Sequence, residues 1–458
     1  MKDKKLIRKE ILILIIPIIL ENILQILAGI VSTALVGRLT SLDISAQGVA
    51  FRITDVLFVL WKGIAIGAMV FIAKSYGEGK LNKCKQAFQN ITLVTISLSI
   101  ICQLVLWIFP MQLLGFFTDD IQILTVARSY MNIVTIGLPF LVIMQLVTST
   151  FQSFGDTKTP MFIALLVNIV NIILGYTMIF GMEMGLTGAA IATIASQISG
   201  ALTGLYLLYK KNGLFKGTTK KLPFFDIDRS ILKDTYSTGI PAALENMFWQ
   251  LSAIVMSKII LSYGQSAFAA YNLSTQAETI TELPVLGFTV AATTLAARAL
   301  GKKDPYLFKE YFRQQVEMNI IISIVISILL MGIPSVFMAM VTDKPELQQI
   351  GVVYLFIMGC IQIPQNLVRT FSGTLRAIGF KKTPMFITGG VIWLFRVPLA
   401  AFIAYKMHLD ISFIWFAIAA DQVLKCLLMF AFIKIKKINL VVEQALEEEE
   451  SRLSAQNV

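Results

Sequence analysis

Lys158-Thr159-Pro160-Met161-Phe162-Ile163 recurs unchanged as Lys382-Thr383-Pro384-Met385-Phe386-Ile387, 224 positions further along the chain. Ile16-Pro17-Ile18-Ile19-Leu20-Glu21-Asn22 has its counterpart at the same offset, Ile240-Pro241-Ala242-Ala243-Leu244-Glu245-Asn246. In that register Gly63 falls on Gly287, Gly77 on Gly301, Tyr130 on Tyr354 and Gly155 on Gly379. One short identity can arise by chance, but two at one spacing mark an internal duplication.

The stretches around these motifs are apolar. Hydrophobic residues make up 56% of the 458 and charged residues 15%, against roughly 25% charged in ordinary globular chains. Mean hydropathy is +0.75. A particle of this size cannot hide that much apolar surface from water, so lipid is the solvent for most of the chain. About twelve runs are long enough to cross a ~30 Å hydrocarbon layer. They cover 11–36, 46–76, 87–110, 122–152, 160–182, 187–209, 235–262, 267–300, 314–340, 347–377, 384–406 and 411–434. Lys2, Lys4, Lys5, Arg8 and Lys9 before the first run imitate a signal peptide. The run is too long for one and contains Glu21, Asn22 and Gln25, so it is expected to remain as the first helix.

The net charge of +11 is therefore no nucleic-acid signature. Basic residues gather in alternate loops: Lys74 to Lys85, Lys158, Lys210 to Lys233, Arg298 to Lys303, Lys381 and Lys382, and Lys434 to Lys437. The intervening loops hold little beyond Arg38, Lys344 and Lys406. The positive-inside rule makes the first set cytoplasmic, with both termini inside. The expected layout is an all-α polytopic membrane protein in two six-helix lobes, 1–209 and 234–436. A cytoplasmic linker, 210–233, joins them, and an acidic tail follows, 437–458, with Glu447 to Glu450. An even number of crossings per repeat makes the lobes parallel, related by an axis along the membrane normal, with a substrate expected between them.

Most enzyme chemistry is excluded. His408 is the single histidine, and Cys84, Cys102, Cys360 and Cys426 show no CxxC spacing, so neither a histidine triad nor a multi-histidine metal site can be assembled. No GxxxxGK[ST] loop exists for ATP, which leaves an ion gradient as the energy source.

The chain resembles the MATE (multidrug and toxic compound extrusion) transporters over roughly residues 8–436. The resemblance rests on the paired halves, on Gly29-Ile30-Val31-Ser32-Thr33-Ala34-Leu35-Val36-Gly37-Arg38-Leu39, on Gly77 and Gly301, and on the Gly-x-x-Lys-Thr-Pro-Met loops. It implies a two-lobed, multi-pass exporter of amphipathic, often cationic small molecules. Sodium or proton influx would drive it, with no cofactor and no metal beyond a possible sodium ion. The expected setting is the bilayer of a bacterial cytoplasmic membrane, where it works as a monomer with no nucleic-acid partner and contributes to antibiotic resistance. The usual family acids are replaced here: Ser32 in helix 1, Gly175 in helix 5, Trp249 or Gln250 in helix 7 and Gln365 in helix 10. A flippase of lipid-linked precursors on a related fold is the alternative, and it would call for a strongly cationic cavity.

Ionisable residues at membrane depth are functional candidates by default. Glu21 lies ten residues into helix 1, and Glu245 is its repeat mate. Each follows a proline, Pro17 or Pro241, which can kink the helix beside the acid and act as a hinge. Either acid carries a coupling ion, or each Glu-Asn pair makes a fixed bond between helices. Glu278 and Glu282, four apart, share a helix face. They carry the ion, or they pair with Arg369, Arg396 or Lys425. Glu245, Glu278 and Glu282 are expected to bind the cation in the C-terminal half, with Glu21 as the N-terminal alternative, because more acid oxygens lower the cost of holding charge. Asp421 with Lys425, and Arg52 with Asp55, read as internal ion pairs. Asn168 and Asn171, on one face of helix 5, contact substrate or a neighbouring helix; Gln250 and Gln365 are further polar candidates.

Overall fold

The structure is a computed structural model that describes residues 4–210, 213–216, 218 and 227–436. The expected tail and about half of the expected linker, 211–212, 217 and 219–226, lie outside the described residues. Among the described residues the regular structure is all helical, joined by short turns. The long helices are α1 (Lys4–Val36), α2 (Ser41–Gly77), α3 (Leu81–Ile108), α4 (Ile121–Ser153), α5 (Lys158–Gly181), α6 (Gly185–Tyr209), α7 (Arg229–Leu261), α8 (Gln265–Gly301), α9 (Pro305–Gly332), α10 (Pro345–Cys360 with Gln362–Ala377), α11 (Thr383–Met407) and α12 (Ile411–Ile435). They fall on the twelve expected stretches. Among the described residues ten are long and apolar enough to cross a membrane, and α10, bent by 57°, makes an eleventh. The remaining helix, α7, carries Arg229, Lys233, Asp234, Glu245 and Lys258 along its 33 residues.

Local chemistry sets the helix ends. Thr40 and Asp43 form a capping box at the start of α2, the Asp43 amide donating to Thr40 Oγ1 at 3.2 Å. Asp304 accepts from the Leu307 amide at 2.8 Å at the start of α9, with Pro305 as its first residue. Gly155 after α4 and its mate Gly379 after α10 have φ of +72° and +99°. Only glycine enters that region without strain, so the repeat keeps it at both helix ends.

The duplication extends to the irregularities. Short helices Pro110–Leu114 and Pro334–Ala339 are repeat mates. A 3-10 turn at Thr135–Gly137 interrupts α4 where α10 breaks at Ile361. π turns close α5 at Thr177–Gly181 and α11 at Ile403–Met407. A further π turn, Ile392–Arg396, exists only in the second half; its mates, 168–172, are ordinary α-helix.

Two compact units result, and they do not coincide with the covalent halves. One is Leu20–Ala243; the other is Met1–Ile19 together with Leu244–Val458. The first, the N-terminal unit, has a core that includes Trp61, Phe88, Met131 and Phe151. The second, the C-terminal unit, is built around Tyr271, Tyr354, Leu355 and Trp415. The opening segments of α1 and α7 therefore each pack in the unit of the other half. In the C-terminal unit, a Cβ at Gly287 would stand 2.8 Å from Ile15 Cγ2 and 3.2 Å from its backbone. Arg8 Nε donates to Gln314 Oε1 at 2.6 Å, and Tyr311 Oη donates to Glu10 Oε2 at 2.6 Å. In the N-terminal unit, Gly239 and Ala243 press on Gly63 and Ile64, and Tyr236 Oη meets Thr95 Oγ1 at 2.9 Å. Ile15 against Gly287 and Gly239 against Gly63 are the same contact in the repeat register. Missing side chains at Gly63 and Gly287 permit this close approach. The exchange falls within a few residues of Pro17 and Pro241, where each helix can change direction.

Candidate functional site

The second segment of α10, Gln362–Ala377, is a polar helix at membrane depth. Gln365, Arg369, Ser372 and Arg376 recur at helical spacing on one face, and Gln362, Asn366, Thr370 and Thr374 on another. Polar groups in hydrocarbon must find partners inside the protein. The first face finds the acids of α7 and α8. Arg376 Nη2 stands 2.5 Å from Glu245 Oε2; Ser372 Oγ donates to Glu245 Oε1 at 3.1 Å, and Thr388 Oγ1 at 3.4 Å. Arg369 Nη2 meets Glu282 Oε2 at 2.6 Å.

Gln365 bridges the two acids of α8. Its Nε2 donates to Glu282 Oε1 at 2.6 Å and to Glu278 Oε1 at 3.0 Å. Tyr354 Oη donates to Glu278 Oε2 at 2.7 Å. An aromatic cluster fixes that tyrosine: Trp415 lies edge-on to it at 5.2 Å and stacks on Tyr271 at 5.5 Å. A third charge group sits deeper. Asp421 is fully buried, with Lys425 Nζ at 2.7 Å and Arg396 Nη1 at 3.7 Å. Arg396 leaves the chain from the π turn found only in this half, a distortion often tied to functional positions.

Glu245, Glu278 and Glu282 are thus gathered in one unit, as expected, but with different company. Glu245 and Glu282 each hold a guanidinium. Glu278 holds a phenol and an amide, and among the described residues it has no base within ion-pair distance. The anticipated pairing with Arg369 goes to Glu282, and that with Arg396 and Lys425 goes to Asp421. Among the described residues, the bases Arg369, Arg376, Arg396 and Lys425 each lie against an acid.

Glu21 is in the N-terminal unit, buried, with Oε2 lacking a hydrogen-bond partner and Lys62 as the neighbouring charge. Asn168 and Asn171 bond to neighbouring helices: Asn168 Nδ2 donates to the Leu24 carbonyl at 2.9 Å, and Asn171 Nδ2 donates to Ser196 Oγ at 3.4 Å and to Thr193 Oγ1 at 3.5 Å. Gln250 is exposed, Ser32 is half-buried, and Gly175 is buried beside Leu35. Pro17 and Pro241 lie inside continuous helices. Sequence reasoning missed Arg376, Ser372, Thr388 and the role of Tyr354. The signal available was the run of polar residues at helical spacing in 362–377, inside a stretch read only as a span.

The sequence profile of the MatE family matches this chain twice, over residues 17–177 and 241–402. A probable multidrug resistance protein NorM from Thermotoga maritima is 29% identical over 434 residues, covering 93% of this chain and 92% of its own. A probable multidrug resistance protein YoeA from Bacillus subtilis is 25% identical over 94% of both. A solved outward-facing multidrug resistance MATE family transporter of the MOP superfamily superposes with a TM-score of 0.87, at 18% identity, over 96% of this chain and 97% of that one.

Proposed function

This chain belongs to the MatE family, whose members are transporters and not enzymes, and on that premise we propose that it exports amphipathic cationic compounds in exchange for protons, with Glu278 as the proton carrier. It is a multi-pass membrane protein. The proposal extends to a bacterial cytoplasmic membrane with both termini inside, and to alternating access as the working cycle. Relatives that are named multidrug resistance proteins support the substrate class.

The observation that carries the reading is the distribution of bases. Protonating Glu245 or Glu282 would strand a guanidinium, Arg376 or Arg369, and an uncompensated charge in a low-dielectric site is costly. Glu278 can change charge without breaking an ion pair. Tyr354 and Gln365 offer it neutral donors, and those groups can rotate or accept instead when the carboxyl carries a proton. A sodium ion would have to compete for carboxylate oxygens that Arg369 and Arg376 already hold; a proton needs a single oxygen. The flippase alternative calls for unpaired bases at this site, and Arg369, Arg376, Arg396 and Lys425 each lie against an acid.

Purified protein in liposomes, with ethidium as the probe, tests this. A proton gradient should drive ethidium transport and a sodium gradient alone should not. Glu278→Gln should keep ethidium–ethidium exchange while proton-driven transport falls by roughly 100-fold, the scale of losing a positioned proton-transfer group. Transport driven by sodium alone, or undiminished proton drive in Glu278→Gln, overturns the assignment.

A further inference from the structure

The second polar face of 362–377 turns away from the acids and meets α9. Asn366 Nδ2 donates to Ser323 Oγ at 3.0 Å and to Gln362 Oε1 at 3.3 Å. Ser323 Oγ donates to Asn319 Oδ1 at 3.2 Å, and Asn319 Nδ2 donates to Thr370 Oγ1 at 3.0 Å. Further along α9, Gln315 Nε2 donates to the Ala291 carbonyl at 3.4 Å, and Gln314 Oε1 accepts from Arg8. Asn319, Ser323, Asn366 and Thr370 have no exposed surface. Arg8 has a half-exposed side chain and pairs with Glu317 at 2.9 Å. From Gln315 to Ser323 the file rises ~12 Å along the helix.

Hydrogen bonds between helices are the ordinary use of such groups in a membrane. Two observations go further. The bonded stretch ends, on both sides, in buried polar atoms without a partner: Gln365 Oε1, on the residue that bonds Glu278, with Asn366 Oδ1 next to it in the chain, and Gln314 Nε2, on the residue that accepts from Arg8, with Gln315 Oε1 next to it. Buried polar atoms are satisfied in folded proteins, and in surroundings this polar the missing partner is water. The α10 side of the file is also unnecessary for packing. Its repeat mates on α4 are the apolar Leu138, Val142 and Leu146, while the α9 side keeps buried polar mates on α3, Asn90, Thr95 and Ser99.

We propose that this amide and hydroxyl file holds water and conducts protons between Glu278 and the Arg8–Glu317 end of the C-terminal unit. It rests on Glu278 being the proton carrier. In the release step the carboxylic O–H bond of Glu278 breaks, its electron pair stays on the carboxylate, and the proton passes to a water oxygen beside Gln365 and Asn366. Water relays it past Ser323, Asn319 and Thr370 to solvent near Arg8. Amides and hydroxyls hold and orient the water; water carries the charge. The proton would therefore leave by a route of its own inside one unit.

The test uses the full chain in liposomes with a trapped pH dye and ethidium. Asn366→Val, which copies the repeat mate Val142, and Ser323→Ala should each slow ethidium-dependent proton flux roughly tenfold, equivalent to about 1.4 kcal/mol on the barrier. Both should leave ethidium–ethidium exchange at the unmodified rate, and Asn366→Ser should restore flux. Unchanged proton flux in both variants, with Glu278→Gln uncoupled, overturns the path and leaves the carrier standing. Equal loss of flux and exchange in the soluble, folded variants reduces the file to helix contacts and overturns the path as well. Full proton drive in Glu278→Gln removes the carrier itself.

Discussion

Residues 138–153 of α4 and 362–377 of α10 hold the same place in the repeat, yet they differ in chemistry almost everywhere that charge is involved. Gln365, Arg369 and Arg376 stand opposite Leu141, Gln145 and Gln152. Their partners diverge in step. Glu278 and Glu282 have Thr54 and Phe58 as mates; Arg396, Asp421 and Lys425 have Ile172, Gln197 and Ala201. The geometry does not diverge: both segments follow a helix break at the same repeat position and end at a left-handed glycine. The breaks therefore belong to the shared architecture. These charges are confined to one unit, and the other folds at the same positions without them.

The largest expected effect lies in the charged layer. Arg376→Ala would leave the largely covered Glu245 without its guanidinium, at a cost of about 3 kcal/mol. Its mate change, Gln152→Ala, should cost about 1 kcal/mol. Thermal unfolding of both variants in detergent gives the contrast, and equal shifts would mean that the two segments are loaded alike. A smaller effect is expected where the units agree. A Cβ at Gly63 would lie 2.5 Å from the Ala243 backbone, while at Gly287 the nearest atom is the tip of Ile15, at 2.8 Å. Gly63→Ala should therefore sit near the upper end of the ~1–3 kcal/mol range for overpacking and Gly287→Ala near the lower; the reverse order in thermal unfolding would show that the two close approaches are not equivalent.

The smallest effect separates the helix starts. Asp410 caps α12, accepting from the Ser412 amide at 2.9 Å and hydroxyl at 2.6 Å. The matching start of α6 has Met184 and no side-chain cap. The Ser412 donors hold the Asp410 carboxyl below its ordinary range. A lowered folded-state value means the contribution is present above the unfolded carboxyl's range and is lost as pH falls through the folded value. Asp410→Ala should cost about 1 kcal/mol near neutral pH, and the gap from the unmodified protein should close on acidification. A gap that persists at low pH would rule out the ionised cap.

The sequence alone determined what depends on each residue or on a fixed spacing. Transfer to lipid is a property of single side chains summed over a window, so the spans were legible. A duplication shows in its register, so the two halves were legible as well. The family could be read from the motifs in those halves. Only the tertiary structure decided the pairing. Glu245 and Arg376 lie 131 positions apart, and their meeting depends on how α7 and α10 are rotated about their axes. Counting acids favoured a cation site shared by Glu245, Glu278 and Glu282. Packing gave two of them to arginines and left Glu278 with neutral donors, because a helix face that carries Gln365, Arg369 and Arg376 at matching heights can serve all three at once. The exchange of the first segments of α1 and α7 was beyond the sequence for the same reason: the surface each segment meets fixes which unit it joins.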